Sequence, residues 1–163
     1  MNHEKGKMMN TLTINKNLNK QIEIVNDARE FTDKEIRPFA GTFEMDECIP
    51  PELIRKMAER KYLAAPFPKE YGGLVLDPLH YGYLIEEIGK GCASTRALLT
   101  VHTSLVGETI LKWGTDAQKK KWLPLMASGE LITAFALSEP DTGSDAQNIR
   151  TTYEEKFDKF IIS

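Results

Sequence analysis

The run FALSEPDTGSDAQNIRTT at 135–152 gathers Ser138, Glu139, Asp141, Thr142, Ser144 and Asp145 around Pro140 and Gly143, directly behind a short apolar stretch. Hydroxyls and backbone N–H groups clustered about a glycine can cradle a phosphate or the polar rim of a planar cofactor, because glycine lets the backbone come close. Neither GxGxxG nor a GxxxxGKS/T loop is present, which sets aside the dinucleotide-fold and P-loop readings. On composition alone a plain reading stays open beside the binding one: a strand followed by a proline-led turn that Asp and Ser cap. Glu139 invites a general-base reading. Glu86 and Glu87 form a second carboxylate pair, but adjacent helical residues diverge by about 100°. One should therefore face solvent and the other join an ion pair. His80 and His102 fall on different helices without a third ligand or a serine elbow, so both read as packed histidines and no metal site is expected. Lys119, Lys120 and Lys121 read as a solvated helix face.

The elements that must position this loop are mostly helical. Leu18, Ile22, Val25 and Ala28 recur at spacings of three and four, predicting a helix from about Asn17 to Asp46 that Pro38 kinks or divides. IPPELIRKMAERKYL predicts a helix led by prolines, with Leu53 and Met57 on one face. Two prolines and a Gly-Gly pair make 64–73 a loop. Asp77 is a cap candidate with Pro78 at the first helical position, for a helix reaching about Gly91. Residues 93–114 are apolar on most of their circumference, predicting a helix in the middle of a bundle. Thr115 or Asp116 opens a shorter helix that ends near Gly129. The period then changes: LITAFALSE (131–139) reads as a strand, and NIRTTYEE and KFIIS as two more, with EKFDK as the turn between them. The fold class expected is mainly α, an N-terminal helical bundle domain followed by the first strands of an incomplete β-barrel-like domain.

The expected boundaries are a disordered tail over 1–16, a helical domain over 17–130 and the start of a β domain over 131–163. With a net charge of −3 the 163-residue chain offers no basic footprint for nucleic acid. Its two cysteines, Cys48 and Cys92, lie outside metal-ligand spacing and read as reduced thiols. No apolar stretch approaches the ~18 residues of a membrane span, and the N-terminus has neither signal-peptide nor transit-peptide character. A soluble, cytoplasmic protein is expected.

The literal residues add a resemblance. AFALSEPDTGSDAQNIRTT resembles the motif that opens the middle β domain of the acyl-CoA dehydrogenase family, an apolar strand leading into T/S-E-P-x-x-G-S-D. EIRPFAGTFEMDECIPPELIRKMAE, PFPKEYGGLVLDPLHYGYLIEEIGKGCAS, VHTSL and WGTDAQKKKWLPLMASGELITAFALSEP each resemble family segments, in the family's order, so that the likeness runs from about Ile22 to Ser163.

The resemblance implies FAD as cofactor. It places the flavin ring along Phe135, Ala136, Leu137 and Ser138, with the Ser138 hydroxyl near flavin N5. Gly143 and Ser144 would meet the pyrophosphate, and Ser144 also the pantetheine arm of the substrate. Asp141 and Thr142 receive no role, and Glu139 is structural. The implied reaction is α,β-dehydrogenation of an acyl thioester, with electrons passing to an electron-transferring flavoprotein or another acceptor. The family's catalytic base lies in a C-terminal helical domain, absent from this sequence. No catalytic residue is assigned here, and the chain is expected to be an N-terminal fragment, inactive alone and oligomeric in its full-length form. TVHTSLVGETILKWGTDAQ with FALSEPDTGSDA is also similar to biosynthetic members acting on acyl-carrier-protein thioesters, beside acyl-CoA. Two other readings stay open: an acyl-CoA oxidase or flavin monooxygenase on the same framework, and a non-catalytic helical interaction domain.

Overall fold

In the computed structural model, residues 2–163 are described, those of 2–16 by their backbone alone; of the tail expected over 1–16, Met1 lies outside the described residues. Helix α1 (Asn2–Phe31) runs into a wide π-helical turn at Thr32–Ile36 and a tight 3-10 turn at Arg37–Phe39, then α2 (Ala40–Met45). The break falls at Pro38, which has no N–H to continue the helical ladder. The helix α3 (Pro51–Glu59) starts on its prolines and buries Leu53 and Met57 as expected. The Asp77 carboxylate accepts the N–H groups of Leu79 and His80, each at 3.0 Å, and so caps α4 (Pro78–Gly91). After Cys92 the chain forms α5 (Ala93–Thr100), a second π-helical turn at Val101–Gly107 and α6 (Glu108–Trp113). A reciprocal pair of bonds between Thr115 and Gln118 opens α7 (Asp116–Ser128).

Two apolar clusters hold these helices. The larger packs Phe31, Ile36, Met57, Leu63, Leu84, Ile88 and Leu99 between α1, α3, α4 and α5. The smaller, Ala64, Phe67, Leu123, Met126 and Ala127, takes Val106, Ile110 and Leu131 on its flank. The 93–114 stretch is not central, as its composition predicts. Leu99, His102, Thr103 and Gly107 are buried while Leu105 and Trp113 are exposed, so one side packs and the other is left uncovered among the described residues.

The segment 131–139 departs from expectation. It is irregular and joins no sheet, because a strand needs a neighbour to complete its ladder and none lies beside it among the described residues. The two later strands do form: β1 (Tyr153–Lys156) pairs antiparallel with β2 (Lys159–Ile162), Tyr153 opposite Ile162 and Lys156 opposite Lys159. A further pair of N–H···O bonds between Thr152 and Ser163 extends the ladder by one step. Every residue of this hairpin is exposed.

Candidate functional site

The segment is tied to the helical bundle at its start. Leu131 packs on the smaller cluster, and its N–H donates to the Leu125 carbonyl at 3.1 Å. Two residues on, Thr133 meets His102, its N–H 3.3 Å and its hydroxyl 3.1 Å from Nδ1. His102 is fully buried, and its Nε2 lies 3.1 Å from the Met126 carbonyl at the end of α7. Burial pushes its pKa below the usual histidine value, with the Met126 carbonyl partly opposing. It is a packed, hydrogen-bonded histidine, as the sequence predicts, and it sits where the π-helical turn of 101–107 faces the segment.

A second tie lies at the loop. Glu139 and Thr142 exchange both backbone bonds, N–H to O at 2.9 and 3.1 Å, across a turn of Pro140 and Asp141. The Glu139 carboxylate accepts the N–H of Arg150 at 2.7 Å and of Thr151 at 2.8 Å. These donors, Arg150 first, hold its pKa below the ordinary glutamate value. A carboxylate tied to two backbone N–H groups in this way braces the loop, the structural role that the resemblance implies. Thr142, given no role from sequence, is buried, and its hydroxyl lies 3.4 Å from the Asn148 carbonyl.

Between the two ties, Ala134, Phe135, Ala136, Leu137 and Ser138 are exposed, and their backbone groups find no protein partner among the described residues. Gly143 and Ser144 are exposed beside them, the Glu139–Thr142 pair drawing Ser138 and Gly143 to the two ends of one turn. All six residues expected to bind cofactor are therefore exposed. At Gly143 an added Cβ would meet nothing within 4 Å, so the chain's own packing gives no reason for glycine there.

The other candidates are structural. Glu87 is buried and accepts from Arg29 at 3.1 and 3.2 Å and from Lys90 at 2.9 Å, with Arg29 the main cause of its lowered pKa. Glu86 faces solvent. His80 is buried with Nδ1 2.9 Å from Asp77, inside the α4 cap. Cys48 and Cys92 are both free. Among the described residues no group of His, Cys, Asp and Glu could hold a metal, and no helix is long and apolar enough to cross a membrane. What sequence reasoning missed is the His102–Thr133 contact. Its partners are 31 positions apart, and nothing local signals their meeting.

A helical bundle is followed, through a braced loop, by a two-stranded hairpin, so the class the fold defines is mainly helical. Comparison with known proteins narrows that class. The profile of the "Acyl-CoA dehydrogenase, N-terminal domain" family matches residues 19–130. The chain is 39% identical over 135 residues to the short-chain specific acyl-CoA dehydrogenase of rat mitochondria, covering 83% of this chain and 33% of that one. The crystal structure of an acyl-CoA dehydrogenase from Geobacillus kaustophilus superposes with a TM-score of 0.82 at 35% identity, over 88% of this chain and 37% of that one. A prolyl acyl carrier protein oxidase superposes at 0.76 with 28% identity, over 88% of this chain and 38% of that one. The chain belongs to the acyl-CoA dehydrogenase family. It spans about a third of the length of the curated relatives it matches.

Proposed function

We propose that this chain is the N-terminal part of an FAD-dependent acyl thioester dehydrogenase, with residues 17–130 its helical domain and 131–163 the opening of its β domain. The observation that carries the reading is the exposed 134–138 edge, its backbone donors and acceptors free, held between two ties and continued by the open backbone at Gly143. Exposed in this way, the backbone donors and acceptors of 134–138 are met by water and stay open to a ligand. A planar ring with a polar rim is suited to meet them along the segment, and an anion to meet the donors of a glycine turn. The residues present therefore fit FAD. Phe135, Ala136, Leu137 and Ser138 would hold its ring, and Gly143 and Ser144 its pyrophosphate, Ser144 also reaching the pantetheine arm of the thioester.

FAD, when bound, accepts the hydride that leaves the β-carbon as a base removes the α-proton. The rest follows from this chain's own groups. Anchoring at Leu131, Thr133 and Glu139 fixes both ends of the ring-holding segment before ligand arrives, which lowers the ordering cost of binding. The Ser138 hydroxyl would offer a donor to the ring's polar rim, and the N–H groups at the glycine turn would offer donors to the phosphates. Glu139 is tied to the Arg150 and Thr151 N–H groups, and Glu130 accepts from the Ser128 hydroxyl at 3.1 Å. Neither is assigned as base, and residues 1–163 are proposed to be inactive alone.

Acyl-CoA is the substrate class favoured, because relatives named acyl-CoA dehydrogenases match at 37–40% identity while the carrier-protein oxidase matches at 28%. Electrons would pass to an electron-transferring flavoprotein or another acceptor. The test is turnover by the intact polypeptide with a dye acceptor, offering butyryl-CoA beside carrier-protein thioesters. Desaturation of the CoA ester supports the reading. A strict preference for the carrier protein would move it to the biosynthetic members, and peroxide formed without an added acceptor would move it to the oxidases.

A further inference from the structure

Every hydrogen-bonding atom of the His102 ring is committed, and the commitments agree. The Thr133 backbone N–H can only donate, so Nδ1, 3.3 Å away, must accept. The Met126 carbonyl can only accept, so Nε2, 3.1 Å away, must carry the proton. Two neighbours from different elements thus impose one tautomer, the neutral ring protonated on Nε2. With that tautomer the Thr133 hydroxyl, 3.1 Å from Nδ1, is a second donor to the same lone pair. The imidazolium is disfavoured, because its Nδ1–H would oppose the Thr133 N–H in a fully buried site and leave only the Thr133 hydroxyl oxygen to accept it.

These bonds join three pieces: the π-helical turn of 101–107, the end of α7 at Met126 and the irregular segment at Thr133. Thr133 stands two residues before the first of the four ring-holding positions. Fixing the Thr133 amide shortens the free stretch of chain ahead of them and narrows the placements open to Phe135 and Leu137. We propose that His102 is the positioning residue of the flavin edge, its neutral Nε2–H tautomer latching Thr133 so that residues 135–138 are presented within a narrower range of placements. The inference rests on the FAD reading above and adds to it a residue remote from the binding loop in sequence.

Nitrogen-15 NMR of the imidazole tests the tautomer without any substitution: a proton on Nε2 and a bare Nδ1 are expected, and a proton on Nδ1 at neutral pH overturns the proposal. Two variants then separate latch from packing. In His102→Gln the amide N–H replaces the Nε2 donor and nothing replaces the Nδ1 acceptor; in His102→Asn the reverse holds. Exchange of the Thr133 amide should quicken about three- to tenfold in the Gln variant, the worth of one net hydrogen bond, and change less in the Asn variant. FAD affinity of the intact polypeptide should follow the same order. Equal effects of both variants on the Thr133 amide would show a packing role only and overturn the proposal. Faster exchange with unchanged FAD affinity would leave a latch that positions nothing, which also overturns it. Failure of the unsubstituted polypeptide to take up FAD would defeat the reading of the site, and the positioning role with it, while the tautomer and exchange results still report the latch.

Discussion

Replacing Gly107 by alanine strikes the packing beside His102, the residue that meets Thr133. A Cβ at this position would lie 2.2 Å from Cζ of Phe67 and 2.6 Å from Cε1, whereas carbon atoms rest at about 3.5–4.0 Å. The ring must retreat by more than about 1 Å. It has nowhere to go, being fully buried among Ala64, Leu123, Met126 and Ala127. Overpacking of this kind costs about 1–3 kcal/mol. Alanine's better helix propensity returns up to about 1 kcal/mol, so a net loss of about 1–2 kcal/mol is expected. For a chain of this size that lowers the thermal midpoint by about 3–8 °C. Urea unfolding followed by far-UV circular dichroism measures the loss at constant temperature. Phe67→Leu in the same background should restore part of it, so that the two substitutions fall short of additive by more than about 0.5 kcal/mol. An unchanged or raised stability in Gly107→Ala, or strict additivity with Phe67→Leu, would refute the packing described.

Three further outcomes follow from the same geometry. His102 is held neutral while its counterpart in the unfolded chain titrates near the usual ~6.5; below that pH the unfolded state gains a proton the folded state refuses. Stability should therefore fall as pH falls, by at most about 1.4 kcal/mol per pH unit from this group, and His102→Gln should remove that share of the slope, whereas parallel pH profiles would refute it. Glu139→Ala deletes the acceptor of two backbone N–H groups, so the Arg150 and Thr151 amides should exchange faster while α1 to α7 keep their protection; unchanged exchange would mean the brace is idle. Gly143→Leu meets open space, so the thermal midpoint should stay within about 1–2 °C, the ordinary range for an exposed substitution, while FAD binding is lost; retained FAD affinity would remove Gly143 from the site.

What was legible in the sequence was local. Asp77 with Pro78, and Thr115 with Gln118, announce their helices because a cap is a contact between residues two or three apart. Pro38 announces its break for the same reason. The braced loop could be read because its residues are contiguous. The failures involve distant partners. Residues 131–139 have strand composition, yet composition cannot supply the neighbouring strand a ladder needs. The 93–114 run is apolar enough for the centre of a bundle, but Leu105 and Trp113 remain exposed because which faces are covered is decided by other elements. The fit of Phe67 against Gly107 spans 40 positions and the His102–Thr133 contact 31, beyond the reach of any period or motif.

The most direct test of the central claim is the flavin content of the intact polypeptide after incubation with FAD, desalting and denaturation, read by absorbance and by the mass of the released cofactor. One FAD per polypeptide, reduced sharply by Gly143→Leu, is the result the 134–144 edge predicts. No retained flavin, or retention indifferent to that substitution, would contradict it.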